Sequence, residues 1–405
     1  MSKTVLISGA SIAGPALAFW LKRYGFTPTV VEIAPTFRPG GQAVDLRGAG
    51  KEVTERMGVM PRVKELCVDE RGIAGVNAKG QRTYAMPADM FGGEGIVAEI
   101  EIMRGDLTQV LAEATTDVEY LFDDRIVELT EVGDGVQVTF ASGLTRRFDF
   151  VVGADGVHSG VRRLAFGPEE QYVTPLGAYT AYFTVPDPGD LDHWFLMYNE
   201  PGGLCVGIRP ERGGTAKAMM TFLSPPLRYD RRDITAQQEI LRQKFGRAGW
   251  KVPAMLAAMP HADDFYFDTM CQVHVDKWWQ GRTVLLGDAG YCASPLAGLG
   301  TSLSLVGAYV LAGELAATPD DHEAAFARYQ QEMAAYVKQA QELPPGGAKG
   351  MAPGSAFMIS MRNLSMRMST HWPMKNVMAK FMSKADAITL KDYRRSVAAV
   401  SSGAR

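Results

Sequence analysis

At 405 residues, with 46% hydrophobic and 21% charged side chains, the chain is long enough for two or three domains with substantial cores. Its formal net charge of −3 and lack of a long basic run argue against a nucleic-acid or anionic-membrane partner. The 4 cysteines (Cys67, Cys205, Cys271, Cys292) form no C-x-x-C pair and the 6 histidines lack metal-ligand spacing, so neither a disulfide framework nor a metal site is expected. No charge-free segment reaches the roughly 18 residues of a membrane span, and the first residues carry no apolar leader, so a cytoplasmic chain is expected.

The first element is the apolar run Thr4-Val5-Leu6-Ile7, which suits a parallel strand covered on both faces. A turn from Gly9 to Gly14 follows. Pro15 then sits where a helix start tolerates its missing N–H, and Ala16, Leu17, Trp20 and Leu21 recur at helical spacing until Gly25. Thr29-Val30-Val31-Glu32 completes a βαβ unit. A glycine-rich loop (38–48), a helix near 51–57, strands and turns over 73–98 and a helix opened by Arg104-Gly105-Asp106-Leu107 come next. Residues 118–152 read as a β-meander ending in an apolar strand before Gly153-Ala154-Asp155-Gly156. From about 170 to 280 the period is mostly two, as in an antiparallel sheet, with one helix near 235–245. Thr283-Val284-Leu285-Leu286 returns to the buried-strand pattern, and a helix spans about 301–316. Pro344-Pro345-Gly346-Gly347 reads as a linker, and 355–385 as a methionine-rich helical region.

The fold expected is therefore α/β, with a Rossmann-like dinucleotide domain interleaved with an antiparallel-sheet substrate domain, plus a C-terminal helix. The nucleotide domain comprises 1–72, 100–169 and 281–345, the sheet domain 73–99 and 170–280, and a C-terminal region (346–405) bridges the two.

Gly9-x-Ser11-x-x-Gly14 stands where a dinucleotide fold places its phosphate-binding turn. Gly9 permits the tight turn, Gly14 lets helix approach strand, and the backbone of Ser11, Ile12 and Ala13 opens the helix whose free N–H groups and dipole attract a pyrophosphate. Glu32, ending the second strand, is spaced to bind ribose hydroxyls. Its carboxylate repels a 2′-phosphate, which selects FAD or NAD over NADP at this site.

Three further segments carry a resemblance. Val151-Val152-Gly153-Ala154-Asp155-Gly156-Val157-His158-Ser159-Gly160-Val161-Arg162, Leu285-Leu286-Gly287-Asp288-Ala289 and Ile102-Met103-Arg104-Gly105-Asp106-Leu107 resemble motifs of the group A flavin monooxygenases, relatives of para-hydroxybenzoate hydroxylase, over roughly residues 1–340. The resemblance implies FAD as cofactor. Asp288 would accept hydrogen bonds from the ribityl hydroxyls, and Arg104 would contact the phosphates or ribityl chain. Asp45 and Arg47 would sit in the loop crossing the flavin, and Pro295 would shape the loop at its reacting edge. Gly298-Leu299-Gly300, at a helix start, would present N–H groups where the reduced ring is negative. Asp155 is expected to brace the helix after its strand, through Arg162 or Arg163. The family usually has Gln at the position of Leu299 and Asn near Ser302, so side-chain contacts from those positions are not carried over.

The resemblance also implies NAD(P)H as a transient reductant, because no second glycine-rich βαβ turn exists to hold it; Arg38 is the candidate for its phosphate. O₂ would react with the reduced flavin to give a C4a-hydroperoxide that hydroxylates a polycyclic or aromatic substrate, with no catalytic side chain required. Gly14 to Arg23, Gly40 to Gly48, Glu99 to Leu107, Asp263 to Asp268 and Gly307 to Leu315 are more closely similar to tetracycline-inactivating flavin monooxygenases (tetracycline destructases), implying oxidative inactivation of those antibiotics. The alternatives are an aromatic or polyketide hydroxylase of secondary metabolism or catabolism, or a non-catalytic FAD protein that sequesters its ligand. Tyr182, Met219 and Phe222 are the substrate-contact candidates from the sheet, and Met358, Met361, Met366, Met374, Met378 and Met382 are weighed as a malleable wall against ordinary helix packing. A monomer or weak dimer is expected.

Overall fold

The computed structural model describes residues 2–38, 40–91, 100–369 and 388–393. The βαβ unit is present as Thr4–Ser8, Ala13–Arg23 and Thr27–Val31. Its strands are buried on both faces because the sheet lies between helices. Five strands are parallel, in the order Thr283–Leu285, Phe150–Gly153, Thr4–Ser8, Thr27–Val31, Glu119–Leu121. Trp279–Gln280 adds an antiparallel edge. Glu119–Leu121 thus belongs to this sheet rather than to the meander expected over 118–152; the meander is the separate three-stranded sheet Ile126–Val132, Gly135–Phe140, Thr145–Phe148.

The alternating region forms a seven-stranded sheet in the order Tyr266–Val273, Val173–Pro186, Thr215–Leu223, Leu204–Pro210, Trp194–Glu200, Gly72–Val76, Arg82–Pro87. The last two strands come from the early insertion, and Gly72–Val76 pairs parallel to Trp194–Glu200. One face buries Ala181, Phe183, Met220 and Phe222 with Leu241, Phe245 and Met255 of the helices Ile234–Phe245 and Val252–Ala258. The other face carries Tyr182, Met197 and Met219 towards a cavity.

Gly300–Ala317 is long and apolar enough to cross a membrane, yet it is a core helix, buried against Ala13–Arg23, Gly48–Met57 and His322–Ala340. The helix His322–Ala340 was not read from the sequence; it buries Phe326, Tyr329, Met333 and Tyr336 on one stripe. The stretch taken as a linker leads directly into the short helix Gly347–Met351. Ala356–Ser369 then lies on the Arg82–Pro87 edge of the large sheet. Residues 388–393 pack instead on the core helix Gly300–Ala317, where Tyr393 donates to Glu314 (2.8 Å). Met374, Met378 and Met382 lie outside the described residues.

Candidate active site

One cavity of about 1840 Å³ runs from the glycine turn to the open face of the large sheet. At one end, Gly9 (φ 106) takes a conformation open only to glycine, and an added Cβ would lie 2.5 Å from the Ala154 carbonyl oxygen. Gly14 presses so closely on Gly9 that a side chain would overlap the Gly9 carbonyl. The helix starting at Ala13 has no side-chain cap, leaving its first N–H groups for an anion. Ser11, Ile12 and Ala13 line the cavity there; Gly14 does not, its part being helix–strand packing. Glu32 accepts from the N–H groups of Ala10 (2.9 Å) and Ala34 (3.0 Å), which fixes its carboxylate at the cavity wall. Arg38 pairs with Glu32 at 3.3 Å and is otherwise mostly solvated.

The middle of the cavity is bounded by Arg104, Asp288 and the 294–300 loop. Arg104 opens the helix Arg104–Glu113, held by its own N–H to Gln42 O (3.0 Å) and pressed on Gly41, whose added Cβ would lie 2.8 Å from Nε. That Nε is buried without a partner. Asp288 follows Gly287 at the end of the strand Thr283–Leu285, and burial raises its carboxyl above the ordinary value. Pro295 begins a single 3₁₀ turn after Ser294, a non-glycine residue at φ 85. Gly298 and Gly300 line the cavity, and Asp45 comes close to Gly298, 3.5 Å from where a Cβ would be. Arg47 pairs with Asp45 at 2.7 Å.

Leu299 is 5% exposed and absent from the cavity wall, so only its backbone serves the loop. Ser302 is buried and donates to the Arg47 carbonyl (3.2 Å), bracing the loop that carries Asp45. Asp155 braces the helix after its strand as expected, but its hydrogen bonds go to other groups than the Arg162 and Arg163 side chains. It accepts from the Ser159 hydroxyl, the Val161 N–H (3.1 Å) and Ser8 Oγ (3.3 Å), tying its helix to the first strand. Arg162 turns to the Ala289 carbonyl (2.8 Å), beside Asp288.

At the far end Tyr182 and Met219 are cross-strand partners facing the cavity. Phe222 is not with them. It is fully buried on the opposite face, clustered with Tyr179 (5.7 Å) and Phe267 (6.2 Å) under the helices. Residues 219 and 222 differ by an odd number, and strand side chains alternate, so the two cannot share a face. The same rule would have found Lys217, two residues before Met219 on the cavity face; it is buried and bound to Asp264, Glu211 (3.2 Å) and Thr184 (2.6 Å). Arg209, which bridges Glu70 and Glu101 and stacks on Phe195 (4.9 Å), was missed as well, because its partners lie on distant segments.

His158, also unremarked in the sequence, lies between Glu169 (3.0 Å) and Asp268 (2.8 Å). Partial burial opposes its charge, but the two carboxylates prevail and lift its pKa to about 9; Glu169 is held down to about 2, against its own burial, by His158 and Arg231. Met361 and Met366 of the C-terminal helix line the cavity, whereas Met358 is exposed and absent from its lining.

A parallel sheet with a glycine turn and an acid just after its second strand, sharing one cavity with the open face of an antiparallel sheet, is the architecture of the flavoprotein monooxygenases. The residues fit the cofactor on their own geometry: a turn that excludes any Cβ, an uncapped helix start and an orphaned buried arginine N–H all face the same channel. Comparison with known proteins agrees. Residues 2–343 match the family model described as FAD binding domain, and the chain belongs to that family of flavin-dependent enzymes. It is 36% identical over 400 residues to a flavin-dependent monooxygenase of Legionella longbeachae (98% of this chain, 100% of the relative). It is 45% identical over 354 residues to an uncharacterized protein of Mycobacterium tuberculosis (87% and 95%). Among solved structures it is similar to tetracycline destructase Tet(55), with 38% identity, a TM-score of 0.81, and coverage of 97% of this chain and 99% of that one.

Proposed function

We propose that this chain is an FAD-dependent monooxygenase that uses NAD(P)H and O₂ to hydroxylate a polycyclic or aromatic substrate, with tetracycline-type ring systems as the first candidates. The observation carrying this reading is the single cavity joining the dinucleotide turn to the open face of the large sheet, wide enough for a cofactor and a multi-ring compound together. Bound FAD would supply the redox chemistry, accepting hydride and passing one oxygen atom of O₂ to the substrate.

The chain's own residues bind, orient and exclude water. Gly9, Ser11, Ile12 and Ala13 would cradle the pyrophosphate, and Glu32 the ribose. Arg104, Asp288, Asp45 and Arg47 would fix the ribityl chain and ring, and the backbone of the loop through Pro295, Gly298, Leu299 and Gly300 would face the ring's pyrimidine edge. Tyr182 and Met219, with the C-terminal helix opposite, would close the substrate end. Arg38 would leave Glu32 to meet the nicotinamide cofactor's phosphate. On this reading the segments 1–72, 100–169 and 281–345 form the FAD domain, and 73–99 with 170–280 the substrate domain. The similarity to Tet(55) supports the tetracycline candidate.

The test is incubation of the yellow holoenzyme with NADPH, O₂ and tetracycline. Loss of the antibiotic's absorbance with a product heavier by one oxygen is expected. A full complement of FAD with no ligand-stimulated NADPH consumption, across tetracyclines and other polycyclic phenols, refutes the reading.

A further inference from the structure

The cations along the cavity sort into groups by what neutralises them. Arg125, Arg163 and Arg232 are exposed to water. Arg38, Arg47, Arg209 and Lys217 each pair with a carboxylate, as does His158. Two remain, Arg104 and Arg362, and each has a buried Nε without a partner. Arg104 stands at the middle of the cavity on the dinucleotide side, beside Gly41.

Arg362 is at the other end. From the helix Ala356–Ser369 it reaches the edge of the large sheet, donating from Nη1 to Asn199 Oδ1 (2.6 Å) and the Met351 carbonyl (3.0 Å), and from Nη2 to the Tyr84 hydroxyl (2.7 Å). All three acceptors are neutral. Among the described residues no carboxylate pairs with it, although the guanidinium is partly buried and fixed on both sides. Tyr84, which it bonds, belongs to an apolar cluster with Met197, Met219 and Met366, and such surroundings strengthen a charge–charge contact made there. A guanidinium withdrawn from water without a counter-charge is costly, and an arriving anion offsets that cost.

We propose that Arg362 is the anion-recognition residue of the substrate chamber, so that the ring compound held there carries an ionised oxygen (enolate, phenolate or carboxylate) against the guanidinium. The proposal rests on the monooxygenase reading for the identity of the chamber, but not on turnover. It makes Arg362 a specificity residue: its planar fork, fixed by Asn199 and Tyr84, sets which edge of the ring system points away from the cofactor end.

The test uses binding. The FAD-loaded protein is titrated with an anthraquinone carboxylate and its neutral amide, followed by perturbation of the flavin spectrum and independently by tryptophan fluorescence. The wild type is expected to prefer the carboxylate by roughly tenfold or more, the range of a charge-assisted hydrogen bond. Arg362→Met erases the preference and Arg362→Lys keeps part of it. Alizarin, titrated through its phenol ionisation, separates phenolate from carboxylate recognition: tighter binding on ionisation, lost in Arg362→Met, shows that either oxyanion suffices. Three results overturn the proposal. The wild type shows no preference or binds neither anthraquinone, Arg362→Met retains the preference with FAD occupancy unchanged, or Arg362→Met weakens NADP⁺ binding instead, making the anion a cofactor phosphate. If the protein takes up no FAD, the monooxygenase reading fails, while tryptophan fluorescence still reports the carboxylate preference.

Discussion

Asp45 and Glu101 stand directly opposite each other across the two-stranded pair Ala43–Asp45 and Glu101–Met103, two carboxyl groups facing one another beside the cofactor channel. Arg47 lies on Asp45, and Arg209 on Glu101 and Glu70. Burial, and then the facing Glu101, hold the Asp45 carboxyl well above its ordinary value despite Arg47. A carboxyl raised in the folded state contributes stability that is complete below its unfolded pKa and is lost as pH rises through the raised value. The wild-type melting temperature should therefore fall as pH rises above the ordinary aspartate range, and Asp45→Asn, neutral at every pH, should flatten that fall. Parallel pH profiles for the two proteins contradict the raised Asp45 carboxyl.

His158 gives a second pH signature. With its pKa lifted to about 9, its ion pairs contribute fully below the ordinary histidine value and are lost as pH rises through about 9. Glu169, held near 2, contributes above the ordinary carboxylate range and is lost as pH falls towards 2. NMR titration should find the ring still charged at pH values where a free histidine is neutral. His158→Gln should cost about 1 kcal/mol near neutrality, the discounted worth of a partly solvated pair. A His158 that titrates at its ordinary value refutes the arrangement.

Met219 and Phe222 provide a test of face. Phe222→Ala should lower stability by about 3–5 kcal/mol through a core cavity while leaving ligand affinity little changed in the protein that remains folded. Met219→Ala, at the cavity wall, should instead shift the dissociation constant for ring ligands. The same ligand shift from both variants refutes the assignment of the two residues to opposite faces.

Gly9→Ala should abolish stable FAD binding, because both its φ and the 2.5 Å approach to Ala154 forbid a side chain. The strain is worth more than about 2 kcal/mol. Colourless or insoluble protein is the expected result; a yellow, normally folded variant contradicts the geometry.

Arg38→Ala should leave FAD occupancy unchanged while raising KM for NAD(P)H by roughly tenfold, the scale of one charge-assisted contact. An unchanged KM removes Arg38 from reductant binding.

The sequence by itself determined the dinucleotide half of this protein. Gly9, Gly14, Glu32 and Asp288 could be placed because a strand, a turn and a helix start are encoded by neighbouring residues whose periods and backbone demands are local. The interleaving of the two sheets was legible for the same reason, as a change of period from buried runs to alternation. The substrate end was decided by tertiary structure alone. Which face of Thr215–Leu223 meets the cavity depends on register against Val173–Pro186, and the pairing of Asp45 with Glu101 depends on two distant segments lying side by side. Arg362 shows this most clearly: only the docking of its helix on Asn199 and Tyr84 reveals a partly buried guanidinium with no carboxylate partner among the described residues, since burial and neutralisation belong to the packed molecule and not to any stretch of chain.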